Sequence, residues 1–315
     1  MNTDSTAVQQ AAETFFRNID QVLVGKRDTI ELVFVALLCE GHVLLEDVPG
    51  VGKTMLAKAV AASLGGSFHR VQCTPDLLPS DVTGVQFFHP QTQVFEYRPG
   101  PIVANVVIVD EINRAMPRTQ SCLLECMEER QVTVDLETRP LPRPFLVLAT
   151  QNPIESEGTF PLPEAQLDRF LLRTGLGHPS HEEEEEILLR FQHGSPLPNL
   201  KPVLALSDLE RLQVLCRTVH TEAGVRDYLL RVVRATREHA ALTLGASPRA
   251  SLGLSHAAQA LAAIQGRDYV LPDDIKRLAV PTLAHRILLS TEARLHGRTE
   301  ADIIEEILRQ TPVPV

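Results

Sequence analysis

The stretch that most constrains this chain is Glu46-Asp47-Val48-Pro49-Gly50-Val51-Gly52-Lys53-Thr54. An apolar run, Val43 to Leu45, leads into it, and a helical pattern, Met55 to Ala61, follows. Strand, glycine turn, Lys-Thr and helix make up the context of a phosphate-binding loop. The glycines let backbone N–H groups turn inward around phosphate oxygens, and the helix N-terminus adds a partial positive charge. Asp47, Val48, Pro49, Gly50, Val51, Gly52, Lys53, Thr54 and Met55 are therefore the candidate nucleotide-binding stretch. Lys53 is suited to the β and γ phosphates, and the Thr54 hydroxyl to Mg²⁺. The pattern G-x-x-x-x-G-K-[ST] begins with glycine, where this chain has Asp47. Aspartate tolerates left-handed backbone better than most residues. A carboxylate facing phosphate would repel it, so Asp47 is expected to point away.

Composition narrows the classes. Of 315 residues, 44% are apolar, ample for a buried core in one large or two medium domains. No apolar run approaches the ~20 residues that span a bilayer. Met1 to Gln10 is polar and lacks a secretory-signal pattern. The expectation is a cytoplasmic chain with no membrane span. A net charge of −10 argues against general nucleic-acid affinity, which needs a basic footprint. The five cysteines are scattered, and no His or Cys near Cys122 and Cys126 completes a zinc site. They read as structural thiols.

Along the chain, strands alternate with helices as far as residue 175. The expected strands are Val43 to Leu45, Phe68 to Cys73, Val103 to Val109, Phe145 to Ala149 and Leu171 to Gly175, of which Val103 to Val109 is a near-continuous apolar run. This alternation predicts a parallel α/β sheet with its site along the strand carboxyl ends. Two insertions read as β-hairpins. One lies near 85–98. The other is formed by Gln131 to Leu136 and the stretch near Phe145, around a polar turn from Glu137 to Pro144. The first carries Phe87, Phe88, Phe95 and Tyr97, which are read as packing the hairpin onto the core; contact with a client is the alternative. After Pro179 the pattern turns helical almost to the end. The expected division is an α/β nucleotide-binding domain over residues 1–178 and an all-α lid over 179–315. The run Glu182 to Glu186 at a helix start suits the helix dipole, with an acidic binding patch as the alternative.

Asp110-Glu111 directly follows Val106-Val107-Ile108-Val109. An aspartate ending a buried strand beside a phosphate loop can hold Mg²⁺, and the next glutamate can orient and deprotonate an attacking water. Phosphoryl transfer needs mainly positioning and charge neutralisation, so Lys53, Mg²⁺ and Glu111 form a minimal hydrolytic set.

At this point the chain resembles an AAA+ ATPase, and within that group the MoxR family. The stretches that carry the resemblance are Thr74 to Gly84, Asp110 to Ala115, Ala149 to Pro153, Glu157 to Phe170 and Gly245 to Ala250. The resemblance implies that Asn152 occupies the sensor 1 position and orients the attacking water. It implies that Arg249 is the sensor 2 arginine, reaching from the lid to the γ-phosphate, and that Arg169 is an arginine finger serving a neighbouring subunit. Capping, solvated and local salt-bridge roles are their respective alternatives. Val24-Gly25 resembles the turn that contacts adenine. Arg114 and Arg118 are further candidates for an interface. The two hairpins fall where the family carries insertions that engage clients.

The implied function is an Mg²⁺-dependent ATPase that hydrolyses ATP to ADP and phosphate within a hexameric ring. It would remodel or mature a protein client, including metal-cofactor insertion, with a von Willebrand A domain partner. One alternative is a nucleotide-gated scaffold with little hydrolysis, for which ATPase activity would stay negligible in every assembly state. The other is a nucleic-acid motor, which the acidic balance opposes. On the leading reading, Glu111→Gln retains ATP binding but loses turnover by about 100-fold or more, as removal of a general base does. ATP titration and steady-state phosphate release measure the two, and wild-type turnover would remove Glu111 from this role.

Overall fold

The computed structural model describes residues 3–91, 93–135, 137–153 and 158–314. Two helices open the chain, α1 (Thr3–Asp20) and α2 (Arg27–Leu38), followed by β1 (Val43–Glu46) and α3 (Lys53–Leu64). Next come β2 (Phe68–Gln72), α4 (Pro79–Thr83), β3 (Gly84–His89), β4 (Val94–Pro99), β5 (Val106–Asp110) and α5 (Pro117–Glu129). β6 (Gln131–Val134), β7 (Glu137–Pro140), β8 (Leu146–Gln151), α6 (Glu164–Leu167) and β9 (Leu172–Thr174) complete the α/β part. The remainder holds α7 (His181–Phe191), α8 (Leu206–Cys216), α9 (Ala223–Glu238), β10 (Leu242–Leu244), α10 (Pro248–Ile264), α11 (Pro272–Leu283), β11 (Leu288–Leu289), α12 (Thr291–Leu295) and α13 (Glu300–Gln310).

The main sheet has the order β2-β5-β8-β1-β9, and all its pairs are parallel. Successive residues of a strand face opposite sides, and the two cores follow that rule. Val43, Leu45, Val106, Ile108, Leu146 and Leu148 join the core on one face, with α1, α2 and α3. Leu44, Val107, Val109, Val147 and Ala149 join the other, with residues of α5. Burial on both faces is why these strands read as continuous apolar runs. Asn105, which interrupts one such run, precedes β5 instead of lying within it. Its amide takes the Ser67 N–H at 3.1 Å and donates to the Pro144 carbonyl at 3.0 Å, tying the entries of neighbouring strands.

Helix α3 starts at Gly52, left-handed at φ 101°, and stops at Gly65, left-handed at φ 62°. Helix α7 is started by Ser180, whose hydroxyl accepts from the Glu183 N–H, while the Glu183 carboxylate accepts from the Ser180 N–H. This reciprocal capping accounts for one of the clustered glutamates. The helical region also contains an antiparallel ribbon, β10–β11, too short to show a strand period in the sequence.

Both hairpins form, with two corrections. The second one pairs Gln131–Val134 with Glu137–Pro140, and Asp135, which follows its first strand, is left-handed at φ 55°. The polar segment expected to be its turn is thus its second strand, and the stretch at Phe145 leads into β8. Thr92, Leu136 and Glu157, which fall within the expected hairpins and the family-like stretch, lie outside the described residues. In the first hairpin, Phe87, Phe88 and Phe95 do not pack on the core. They are exposed, Phe95 by 65%, and Phe88 and Phe95 face each other across the ribbon at 5.3 Å. A two-strand ribbon standing off the sheet has no second layer to bury them. Tyr97 alone is tied inward, its hydroxyl donating to the Thr83 carbonyl at 2.6 Å.

His42 stitches the sheet to α5. Its Nδ1 accepts from the Val147 N–H at 3.1 Å, which leaves the proton on Nε2 to donate to the Met127 carbonyl at 3.0 Å. Burial pushes its pKa from the usual 6.5 down to about 4. The folded state therefore holds a neutral imidazole whose contribution is complete above pH 6.5 and is lost as pH falls toward 4. The stability gap between wild type and His42→Gln is expected to shrink by about 3 kcal/mol from pH 7 to pH 4. Urea unfolding at a series of pH values measures it, and a gap that does not vary with pH would refute the assignment.

Candidate functional site

The carboxyl ends of the strands converge on one cleft. β1 ends at Glu46, and the loop to α3 turns through Gly50 at φ 88° and Gly52 at φ 101°, conformations that glycine adopts without a Cβ penalty. With no side-chain cap at the start of α3, the first backbone N–H groups of the helix point at the cleft. The Lys53 ammonium donates to the Asp47 carbonyl at 2.7 Å and lies 3.3 Å from the Val48 carbonyl. Val51 packs against the core, with Met55.

Asp47 contributes its carbonyl to the loop but turns its carboxylate away from the cleft. The carboxylate accepts from the backbone N–H of Leu176 and, at 3.2 and 3.3 Å, from that of Gly177. A Cβ at Gly175 would come within 2.9 Å of this carboxylate and of the Glu46 carbonyl, so the close approach needs glycine there. The residue that departs from the loop pattern thus binds the segment leaving β9.

On the neighbouring strands, Asp110 is buried at the end of β5. Its carboxylate accepts from Arg70 Nε at 2.7 Å and from the Thr150 hydroxyl at 3.3 Å. Glu111 follows in a left-handed conformation, φ 56°, uncommon for a residue with a side chain. Its N–H donates to Thr150 Oγ1 at 2.9 Å, and its carboxylate accepts from Gln72 at 3.1 Å and from Arg114 at 3.0 Å. Burial, and then the charges of Asp110 and Glu111, push the nearby Cys73 thiol up to about 12, so it stays protonated.

The cleft measures about 390 Å³ and is lined by Pro49, Gly50, Gly52, Lys53, Thr54, Met55, Arg70, Gln72, Asp110, Glu111, Thr150 and Asn152. An ammonium and inward backbone N–H groups suit a polyphosphate. A hydroxyl and a carboxylate are the hard oxygen donors that Mg²⁺ takes. Arg70, Gln72 and Thr150 were not among the residues picked from sequence. Gln72 pairs in register with Asp110, so the rule that sites collect at strand ends would have found it once the strand order was known.

Other expected site residues lie elsewhere. Gly25 packs against the Glu183 carboxylate, and Val24 is buried beside it; neither lines the cleft. Arg114 pairs with Glu111 of its own chain, whereas Arg118 lines a separate groove between the two hairpins. Arg249 and Arg169 sit at the opposite, amino-terminal edge of the sheet. Arg249 forms an ion pair with Glu128, next to Met127, whose carbonyl bonds His42 ahead of β1. Arg169 stands between Asp168 and Phe170, and the following Leu171 N–H donates to the His42 carbonyl at 2.9 Å. β1 has four residues, and at about 3.3 Å per residue the two edges lie about 13 Å apart. Arg249 thus does not reach the cleft of its own chain. Its helix is pinned where it is by the Ser247 hydroxyl on Asp168 at 2.9 Å. The buried Arg286 adds to this, pairing with Asp168 at 3.0 Å and with the Phe170 carbonyl at 2.8 Å.

Comparisons with known proteins point one way. A family model for the "ATPase family associated with various cellular activities (AAA)" matches residues 42–172, and an AAA lid domain model matches residues 234–307. The uncharacterized protein YeaC of Bacillus subtilis is 52% identical over 95% of this chain and 93% of its own length. Chaperone MoxR1 of Mycobacterium tuberculosis is 44% identical over 94% of this chain and 80% of its own length. A crystal structure from Cytophaga hutchinsonii, of a protein provisionally named an ATPase, superposes with a TM-score of 0.93. It is 38% identical and covers 99% of this chain and 97% of that one.

Replacing Asp47 by Ala strands the Leu176 and Gly177 N–H groups. The expected loss is about 1–3 kcal/mol of stability, with Asp47→Asn recovering part of it, and an ATP affinity within threefold of wild type, since the carboxylate does not face the cleft. Urea unfolding and nucleotide titration check both. A large affinity change at unaltered stability would place the carboxylate at the phosphates.

Proposed function

The chain belongs to the MoxR family of AAA+ ATPases, and on that premise we propose that it hydrolyses ATP to ADP and phosphate with Mg²⁺ in a ring assembly. The observation that carries this reading is the meeting of Lys53, Thr54, Asp110, Glu111 and Asn152 in one cleft from three separate strand ends. Lys53 and the loop N–H groups hold the phosphates. Thr54 and Asp110 hold Mg²⁺, which when bound offsets charge on the β and γ phosphates. Glu111, held by Gln72 and Arg114, takes a proton from the water whose oxygen bonds to the γ-phosphorus. Asn152 orients that water. The bond from the γ-phosphorus to the β–γ bridging oxygen breaks, and ADP leaves with that oxygen.

Arg169 and Arg249 share the far edge of the sheet, and this favours one further assignment: both serve the cleft of a neighbouring copy. A guanidinium delivered there meets the charge that develops in transfer, so a lone chain carries an incomplete site. The family resemblance extends the reading to a cytoplasmic hexamer that remodels or matures a protein client, metal-cofactor insertion included, beside a von Willebrand A domain partner. The relatives named chaperone and MoxR support that direction. The two-part organisation, residues 1–178 and 179–315, belongs to the same proposal.

Mixing separates the assignments. Glu111→Gln has an inactive cleft but intact arginines; Arg169→Ala and Arg249→Ala have intact clefts. Each is expected to be nearly inactive alone, since a donated arginine contributes about 10³–10⁵ in turnover, and an equal mixture of Glu111→Gln with either arginine variant is expected to regain about a tenth of wild-type phosphate release or more, because in such a mixture about a quarter of clefts pair an intact glutamate with an intact arginine. A mixture with Arg249→Ala that stays inactive would return Arg249 to its own chain's site.

A further inference from the structure

Among the described residues, nothing covers the outer face of α7. No residue of this helix is fully buried, and Leu188 and Leu189 are 70% and 65% exposed. Only Glu183, Ile187, Arg190 and Phe191 of this helix are partly covered, and there Glu183 meets Lys26 and Arg190 donates to the Asp20 carbonyl. Residues four apart share a helix face. Glu184 therefore stands one turn from Leu188, and Glu185 one turn from Leu189, giving two acid-over-leucine columns that face outward.

The helical region carries the counterpart. A groove of about 650 Å³ runs between α9 and α10, lined by Leu230, Arg231, Arg234, Arg237, Ser251 and Leu252. Leu252 is 62% exposed. Asp227 also borders the groove and pairs with Arg231 at 2.9 Å, while Arg237 is steadied by donating to the Ala246 carbonyl at 2.8 Å. Arg234 is exposed and has no acidic partner among the described residues. Arg231 and Arg234 thus stand beside the exposed Leu230 and Leu252 in the groove, as Glu184 and Glu185 stand beside Leu188 and Leu189 on α7.

Their places in the fold connect them. α7 begins at His181, a few residues after Gly177, which Asp47 ties to the phosphate loop. Pro248 at the groove's end adjoins Arg249. If Arg249 of one copy serves the cleft of the next, the groove beside it also approaches that copy, whose α7 is rooted near the phosphate loop by Asp47. We infer that the outer face of α7 of one copy docks in the α9–α10 groove of its neighbour, with Glu184 and Glu185 against Arg231 and Arg234 and the leucines between them. The contact is head-to-tail, the geometry that closes rings. It rests on the reading of Arg249 as serving a neighbour.

The test is self-association of the full chain with ATP, read by sedimentation velocity over a range of concentrations. Arg231→Glu with Arg234→Glu, and separately Glu184→Arg with Glu185→Arg, are each expected to weaken association by about tenfold or more, because each sets like charges together. The chain carrying all four changes restores opposite charges and is expected to regain association. Parents that associate as wild type does, or a four-fold variant no better than its parents, would overturn the α7 contact. A wild-type chain that stays monomeric with ATP at every concentration would instead overturn the ring reading on which this inference stands.

Discussion

A parallel sheet covered on both faces has no lateral place for polar chemistry, and this constraint shapes the molecule. Side chains within β5 and β8 must be apolar on both sides, so charged groups gather where the strands end. At the carboxyl edge these are Asp110, Glu111, Asn152 and the phosphate loop; at the amino edge, Asp168, Arg169, Arg249 and Arg286. The arginines of the amino edge, Arg169 and Arg249, cannot meet the cleft of the carboxyl edge within one chain, because the strands hold them apart. What a single copy separates, a second copy in head-to-tail contact can bring together. The geometry of the sheet is thus a physical reason for a chain of this kind to act as an assembly.

How much of this was legible in the sequence follows the range of each interaction. The loop from Asp47 to Thr54 is set by neighbours in the chain, and so is Asp110 after its apolar run; both are where the pattern placed them. All five strands of the sheet were legible locally, the central β1, β5 and β8 as apolar runs, although Val103 to Asn105 lie outside β5. The order of the strands was not visible. Arg70 and Gln72 come to the cleft only because β2 pairs with β5, and nothing local in Phe68 to Gln72 marks that pairing. The place of Arg249 depends on Glu128, Asp168 and Arg286, all remote in sequence. The second hairpin differs from its sequence pattern because Glu137 and Thr138 are polar and exposed on a ribbon, where strand period leaves no apolar trace.

The aromatic hairpin is a different kind of miss. Phe87, Phe88 and Phe95 suggested packing because aromatic side chains carry a large apolar area. The ribbon that bears them, however, makes its own pairs and offers Phe88 only Phe95. Apolar composition tells that a residue gains by burial, but not whether the fold supplies a surface. Among the described residues, the fold supplies Phe87, Phe88 and Phe95 with no covering layer.

The clamp at Asp47 has a mechanical side. Its carboxylate holds the backbone just past β9, and from there a short stem leads through Ser180 into α7 and the helices beyond. A glycine at this position would leave the phosphate loop and the stem free to slide past one another. With aspartate they are hinged together, so a small displacement of the loop is transmitted as a pull on the root of α7. The departure from the glycine pattern thus exchanges local freedom for leverage.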